Sequence, residues 1–368
     1  MGQATDVFIV GGGPAGLAAA IAARQRGFRV IVADGAKPPI GKACGEGLLP
    51  DAVAALVGLG VELREMDGSA LRGIRSEDER SSVSARFPDG HGLGVRREML
   101  HLRMMERARD SGVTLLWNTP VTGLHEEGVV TGENKIQARW VIGADGSRSR
   151  VRRWSGLESY LVQRTRFAFR LHYRSKPWTD FTEIYWGEKG QAYVTPVGAQ
   201  EICVVLISSD RDARFDETLS RFPELLRRLD GAPRASSARG AATSMFRLTS
   251  VSQGNVALIG DASGSVDAIT GEGLALSFRQ ATALAGALAG NNIAGYQKAH
   301  RRLFLRPRLM GNLLLLLDRR CGLRRRSMRA LEAAPQLFER MLGYHLGESR
   351  PLQLATAGAV FGWRFLAA

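Results

Sequence analysis

Residues 44–50 read CGEGLLP, with a thiol at Cys44 and a carboxylate at Glu46 separated by one glycine. Both side chains can hold and release a proton, and Gly45 and Gly47 let the loop pass close beside a flat ligand. A second kind of chemistry lies in Gly11-x-Gly13-x-x-Gly16. Such glycines allow a tight turn, the close approach of a pyrophosphate to bare backbone, and close helix–strand packing. The helix that follows offers free N–H groups and a positive partial charge to the anion. Asp34 supplies a carboxylate where a ribose hydroxyl would need an acceptor. Further on, "GADGSRSRVR" (143–152) carries Asp145-Gly146 and Ser149-x-x-Arg152, and "LIGDASGSVDAITGEGLALSF" (258–278) carries Asp261 and a glycine turn.

These groups need elements to position them. "DVFIV" reads as a buried strand, "LAAAIAARQRG" as a helix ending at Gly27, and "FRVIVAD" as a second buried strand, making a βαβ unit at the start of the chain. Residues 63–95 alternate in polarity like hairpins, and "REMLHLRMMERARDSG" has helical spacing, with Leu100, Met104 and Ala108 on one face. "VTLLW", "WVIGAD" and "NVALIGDA" are strands, residues 161–207 read as an antiparallel sheet, and "GLALSFRQATALAGALAG" as a long helix. The expected fold class is α/β. A parallel-sheet, Rossmann-like domain (1–62, 97–160, 250–300) is interleaved with an antiparallel-sheet substrate domain (63–96, 161–249), and 301–368 form a helical, basic segment.

Composition narrows the function classes. The 368 residues are 45% hydrophobic and 23% charged, ordinary globular values that exclude collagen-like and disordered classes. Three scattered cysteines without CxxC pairs argue against a disulfide framework or a zinc site, and no metal is expected. They suit a reducing, cytoplasmic setting. No targeting or membrane-spanning segment is evident, since the apolar N-terminal run is broken by glycines and "LLLLL" is too short to cross a bilayer. The net charge is +14, mostly from dispersed arginine. Without an aromatic platform or a compact basic stripe, no nucleic-acid partner is expected. The densest basic run, "RRCGLRRRSMR" (319–329), reads first as a solvated helix face and second as a contact with anionic lipid or an acidic partner.

The glycine loop alone does not choose between FAD and NAD. With "GADGSRSRVR", "GDASGSVDAITGEG" and Arg97 of "VRREML" in order, the sequence resembles the flavoprotein family of para-hydroxybenzoate hydroxylase and geranylgeranyl reductase over roughly residues 5–300. "KACGEGLLP" and "GDAxGxVxxxTGEG" are similar to the reductase branch; Ala268-Ile269 replaces the proline expected before the threonine, and leaves the subgroup open. The resemblance implies FAD, contacted by Gly11, Gly13, Pro14, Ala15, Gly16, Asp34, Lys42, Cys44, Gly45, Arg97, Val121, Asp145, Gly146, Gly260, Asp261, Gly271, Glu272, Gly273 and Leu274. Asp261 would accept from the ribityl chain or act as a plain helix N-cap, and the N–H groups of Gly273 and Leu274 would face the flavin N1/O2 edge.

By the same resemblance the activity is reduction of carbon–carbon double bonds in a hydrophobic, isoprenoid- or polyketide-like substrate. The alternative is an NAD(P)H-dependent monooxygenase working on an aromatic or polyketide substrate through a flavin hydroperoxide. Cys44, Glu46 or water could donate the proton that accompanies the hydride, and the two side chains could instead be an apolar filler and a surface carboxylate. Tyr193 and Pro196, in a strand loosely similar to one in the reductases, would line the substrate cavity or pack in the core. The halogenases of this fold carry paired tryptophans that "QAYVTP" lacks. No second glycine fingerprint for NAD(P)H is present, so a nicotinamide would dock transiently, or an acidic, ferredoxin-like protein would deliver electrons to the basic surface. The C-terminal segment would lie on lipid as a peripheral contact or close a tunnel over a greasy chain.

Overall fold

The structure, a computed structural model, describes residues 4–188 and 190–347. Strand Ala4–Val10 is central in the first sheet because its apolar run has helices on both faces to cover it. It pairs in parallel with Asn134–Gly143 on one side and with Val30–Ala33 on the other, and Val256–Leu258 and Thr114–Leu116 extend the parallel set. Helix Pro14–Arg24 leaves the first strand through the glycine loop, with Pro14 in its first turn. Its alanines pack against helix Gly273–Ala289, another small-residue helix, which brings two distant motifs to one sheet end. Helix Arg97–Asp110 buries Leu100, Met104 and Ala108 as the spacing predicts, together with His101 and Met105.

The second sheet runs in the order Gly264–Ser265, Arg239–Leu248, Tyr160–Tyr173, Glu201–Ser208, Gly190–Gly198, Phe181–Trp186, Gly73–Glu77, Ser82–Arg86. It is antiparallel except at one seam, where Phe181–Trp186 meets Gly73–Glu77 in parallel. Between the hairpin 73–86 and Phe181–Trp186 the chain adds Thr114–Leu116 and Asn134–Gly143 to the first sheet and runs through Tyr160–Tyr173, so the parallel pair cannot be a hairpin. A short sheet of Gly47–Leu48, Gly92–Val95 and Gly68–Leu71 bridges the two larger ones.

After helix Ile293–Arg319 come helices Cys321–Glu332 and Pro335–Leu346. Their Met328, Leu331, Leu337, Phe338 and Leu342 cover Val83, Ala85 and Phe87 of the hairpin. The reading of "RRCGLRRRSMR" as a solvated face is corrected at Arg324. That residue is buried, with its guanidinium 5.6 Å from the Trp186 ring centroid, because the helix turns one side to the sheet. Residues 348–368 of the C-terminal segment lie outside the described residues. Among the described residues, no helix is long and apolar enough to cross a membrane.

Candidate active site

The glycine loop has the geometry its spacing predicts. Gly11 sits at φ +110°, and a Cβ there would lie 2.5 Å from the Ala144 carbonyl oxygen. A Cβ at Gly16 would lie 1.9 Å from the Gly11 carbonyl oxygen, so helix and strand touch only because both residues are bare. A Cβ at Gly13, by contrast, would meet nothing within 4 Å, so the loop's open side faces a ligand space. His101, on the neighbouring helix, is buried with Nε2 2.8 Å from the Gly12 carbonyl oxygen. Burial lowers its pKa, so the ring is neutral and can donate to that oxygen. Asp34 accepts from the N–H groups of Gly12 at 2.7 Å and Ala36 at 2.8 Å, which aims its carboxylate and leaves lone pairs for a hydroxyl.

From this loop a cavity of about 450 Å³ runs between the two sheets. Gly13, Pro14, Ala15, Lys42, Cys44, Gly45, Glu46, Arg97, Gly146, Tyr193, Asp261, Gly271, Gly273 and Leu274 line it, so motifs spread over the chain meet in one space. Gly11, Gly16, Asp34 and Gly260 support that lining from behind. Gly260, at φ +60°, lets the turn carrying Asp261 come against Ala15, where a Cβ would lie 2.6 Å from the alanine's own. Val121 is buried in the core beside the first sheet, outside the cavity. Asp145 also stands back, accepting from Ser149 Oγ at 2.5 Å and from the N–H of Arg150 at 2.7 Å, at the start of helix Arg150–Trp154. Pro196 is buried with its carbonyl against Gly94, not at the cavity, whereas Tyr193 reaches it with its hydroxyl 3.3 Å from the Ile269 carbonyl oxygen.

The groups at the cavity's polar end fit FAD. Arg97 has a buried Nε without a hydrogen-bond partner among the described residues, a donor left for an anion. Asp261 holds Lys42 Nζ at 2.6 Å, a pair set at the cavity surface where hydroxyls would compete for both. Among the described residues, no helix-capping contact involves the Asp261 side chain. Helix Gly273–Ala289 starts without a side-chain cap, so its first N–H groups are free, and a Cβ at Gly271 or Gly273 would meet nothing within 4 Å. Glu272 beside them is buried, and burial followed by the charge of Asp51 raises its carboxyl to about 8. It is therefore neutral at pH 7, and adds no negative charge where a reduced flavin would develop its own.

The CGEG loop is built differently. Glu46 lies at φ +59° and is 2% exposed, which corrects the reading of a surface carboxylate. Its Oε1 accepts from the Arg97 N–H at 3.1 Å and Arg170 Nη1 at 3.0 Å, and its Oε2 is 2.7 Å from His172 Nε2. Burial pushes the carboxyl up, but the His172 contact and charge, the Arg97 N–H and Arg170 outweigh it and leave it below the ordinary range. Glu46 is therefore ionised at rest, so unaided proton donation from it is corrected too. Cys44 lines the cavity half-buried, its Sγ 3.5 Å from the Glu46 backbone nitrogen. Cys203 is fully buried behind it, and burial keeps its thiol protonated. Glu46, His172 and Cys203 lie close enough to share a metal ion, but Arg170 already supplies the positive charge there, and no metal centre is assigned.

Arg170 and His172 were not singled out from the sequence. They stand two apart on strand Tyr160–Tyr173, so they share a face, and the alternation in "RTRFAFRLHYR" was the available signal.

The FAD binding domain family matches residues 4–299 of the chain. The menaquinone reductase of Mycobacterium tuberculosis is 31% identical over 305 residues, covering 74% of this chain and 73% of the relative. The digeranylgeranylglycerophospholipid reductase of Thermoplasma volcanium is 27% identical, covering 73% of this chain and 74% of that protein. A flavoprotein/dehydrogenase structure from Cytophaga hutchinsonii superposes with a TM-score of 0.81 over 97% of this chain and 99% of its own, at 16% identity, and so shares the fold. With the glycine loop, the open helix start and the unpartnered arginine meeting at one cavity, the chain belongs to the FAD binding domain family and is an FAD-dependent oxidoreductase.

Proposed function

We propose that the protein reduces carbon–carbon double bonds in a long apolar, isoprenoid-like molecule, as its reductase relatives' names suggest. The observation that carries this reading is the cavity's continuity. It begins at Gly13 and Asp261, passes Cys44, and ends among Leu314, Leu317, Met328, Leu331, Phe338 and Leu342, side chains that suit a chain of methylenes and methyls. In this reading the glycine loop and Arg97 hold the phosphates, Asp34 a ribose, Asp261 and Lys42 the ribityl chain, and the N–H groups of Gly273 and Leu274 the ring edge. FAD, when bound, supplies the hydride. The chain does the rest: the apolar helices exclude water, Tyr193 shapes the wall, and the Cys44 thiol offers a proton to the second carbon. The parallel sheet with its helices serves as the cofactor domain, and the second sheet with the C-terminal helices as the substrate domain.

The test is anaerobic. Chemically reduced, FAD-loaded protein is mixed with a prenyl diphosphate or a polyprenyl quinone, and flavin reoxidation is followed with product mass. Reoxidation with a product two mass units heavier, the added hydrogens located in the prenyl chain by fragmentation and not in the quinone ring, is the expected result. Oxygen-dependent hydroxylation of a phenolic ligand with NAD(P)H, and no alkene reduction, would replace this reading with the monooxygenase.

A substrate of this kind resides in membranes, and helix Ile293–Arg319 offers a way to meet it. Leu305, Leu309, Leu313 and Leu316 are exposed along one side, with exposed Arg301, Arg302, Arg319 and Arg320 at its ends, and Leu313 also lines the cavity. A leucine stripe with flanking arginines suits peripheral contact with an anionic bilayer, and the net charge of +14 suits either NAD(P)H or an acidic electron-donor protein as reductant. Flotation with phosphatidylglycerol vesicles should be lost in a Leu305→Ser/Leu309→Ser variant; equal flotation of both proteins would remove the membrane contact.

A further inference from the structure

The Glu46–His172 pair does not stop at the imidazole. Its other nitrogen, Nδ1, lies 3.0 Å from Ser236 Oγ, and Ser236 is half-buried in the segment leading to strand Arg239–Leu248, among exposed neighbours. The hydroxyl is held on the ring by the main chain, accepting from the His172 N–H at 3.1 Å and lying 3.3 Å from the Ser237 carbonyl oxygen. At the inner end, Glu46 lines the cavity beside Cys44. Contacts of 2.7 and 3.0 Å therefore cross the wall without a gap, from a half-buried hydroxyl to the reaction space.

We propose that Ser236, His172 and Glu46 conduct protons from solvent to the site of double-bond reduction. The proposal rests on the reductive reading above, because a reaction that consumes a proton in an apolar cavity must have it replaced at every turnover.

The carboxylate and the imidazole share one mobile proton. It passes from Nε2 to Glu46 Oε2, and Glu46 hands it to the acceptor in the cavity, directly or by recharging Cys44 after that thiol has given its own. The ring, protonated on both nitrogens at the start of the cycle and neutral after this transfer, exchanges tautomers so that Nδ1 becomes an acceptor. It takes the Ser236 hydroxyl proton while Ser236 takes one from water. One proton has left the solvent and one has entered the product, and no group has changed its final charge. The charges facing the pair are Arg170 and Arg96, with Glu98 3.7 Å from Arg170 Nη2 and Arg239 3.9 Å from Glu98. Cys203, paired in register with His172, adds a neutral thiol. The arginines keep the carboxylate from holding its proton permanently, so it acts as a transfer point and not a store.

Ser236→Ala breaks the outer link at a half-buried position and leaves Glu46, Arg170 and Cys44 in place. Reoxidation of the reduced, FAD-loaded variant by a prenyl diphosphate should slow about tenfold with an enlarged solvent deuterium isotope effect, while flavin content and melting temperature stay at wild-type values. His172→Gly should be slower still and partly restored by added imidazole. A second readout needs no turnover. In 15N-histidine-labelled protein, the His172 ring N–H signals should exchange with water about tenfold more slowly in Ser236→Ala, since the hydroxyl is the exit. Unchanged exchange and an unchanged isotope effect in that variant overturn the conduit. If the wild-type protein reduces no alkene, the reductive reading falls, and the exchange measurement still decides whether Ser236 is the proton port.

Discussion

Glu46 and Glu272 are both buried glutamates in glycine-flanked turns around one cavity, yet they end in opposite charge states. Glu46 has an imidazole, a guanidinium and a backbone N–H within hydrogen-bond distance, and stays ionised. Glu272 Oε2 has no hydrogen-bond partner among the described residues, with His345 Nδ1 at 3.6 Å, and burial with the neighbouring Asp51 holds its proton on to about pH 8. Burial sets the penalty for charge, but the partners decide whether it is met. The proposed consequence is a division of labour: a charged wall to pass protons at the CGEG loop, and a neutral wall at the helix start where an anionic ring edge would need only N–H donors.

The contrast breaks most severely at Arg170. Arg170→Met should cost about 3–5 kcal/mol, because it leaves a buried carboxylate without its cation; chemical denaturation reads this directly, and a loss below 1 kcal/mol would mean that Glu46 is not ionised. Glu46→Gln should cost less, about 1–3 kcal/mol, by weakening charge-assisted hydrogen bonds. Its pH signature is more telling. The folded pKa of Glu46 lies below its usual value, so its stabilisation is present above about pH 4.5 and is lost as pH falls through the folded value. Glu46→Gln should therefore flatten the acid limb of stability. At pH 5 the smallest effect is that of Glu272→Gln, which should stay within about 0.5 kcal/mol of wild type, the difference growing as pH rises. Here the folded pKa is raised from 4.5 to about 8, so the wild-type protein loses stability as pH rises between those values, and the glutamine does not. Melting curves from pH 5 to 9 that run parallel for the two proteins would show Glu272 ionising freely.

The glycine fingerprint, the parallel strands and the helix following TGEG were legible because each is a local pattern in which backbone need and residue type coincide. Glu46 was marked as chemical, but its character was not readable, since Arg170 and His172 lie 124 and 126 residues further along the chain. The alternation of Arg166, Ala168, Arg170 and His172 with aromatic and aliphatic residues suggests a polar face in water. The structure turns that face inward, where Asp267 and Gln191 meet Arg166 and Glu46 meets Arg170. Period two gives which residues share a face but not which face is covered. Arg324 misleads for the same reason, Arg320, Arg326 and Arg329 of the same basic run being exposed while it packs on Trp186. The parallel seam at Phe181–Trp186 depends on the route of the intervening chain, which composition does not encode.

The hairpin Gly73–Arg86 is covered by helices made well over two hundred residues later, and its strand partner Phe181–Trp186 is itself synthesised about a hundred residues later. The nascent chain thus carries Val83, Ala85 and Phe87 uncovered until residues 328–342 have emerged. Assembly from the N-terminus onward stalls at a half-built sheet whose apolar side waits for residues 328–342. A chain shortened within those helices would keep every part of its glycine loop and still be a clumping hazard in the cell, with yield rather than cofactor chemistry as the first casualty.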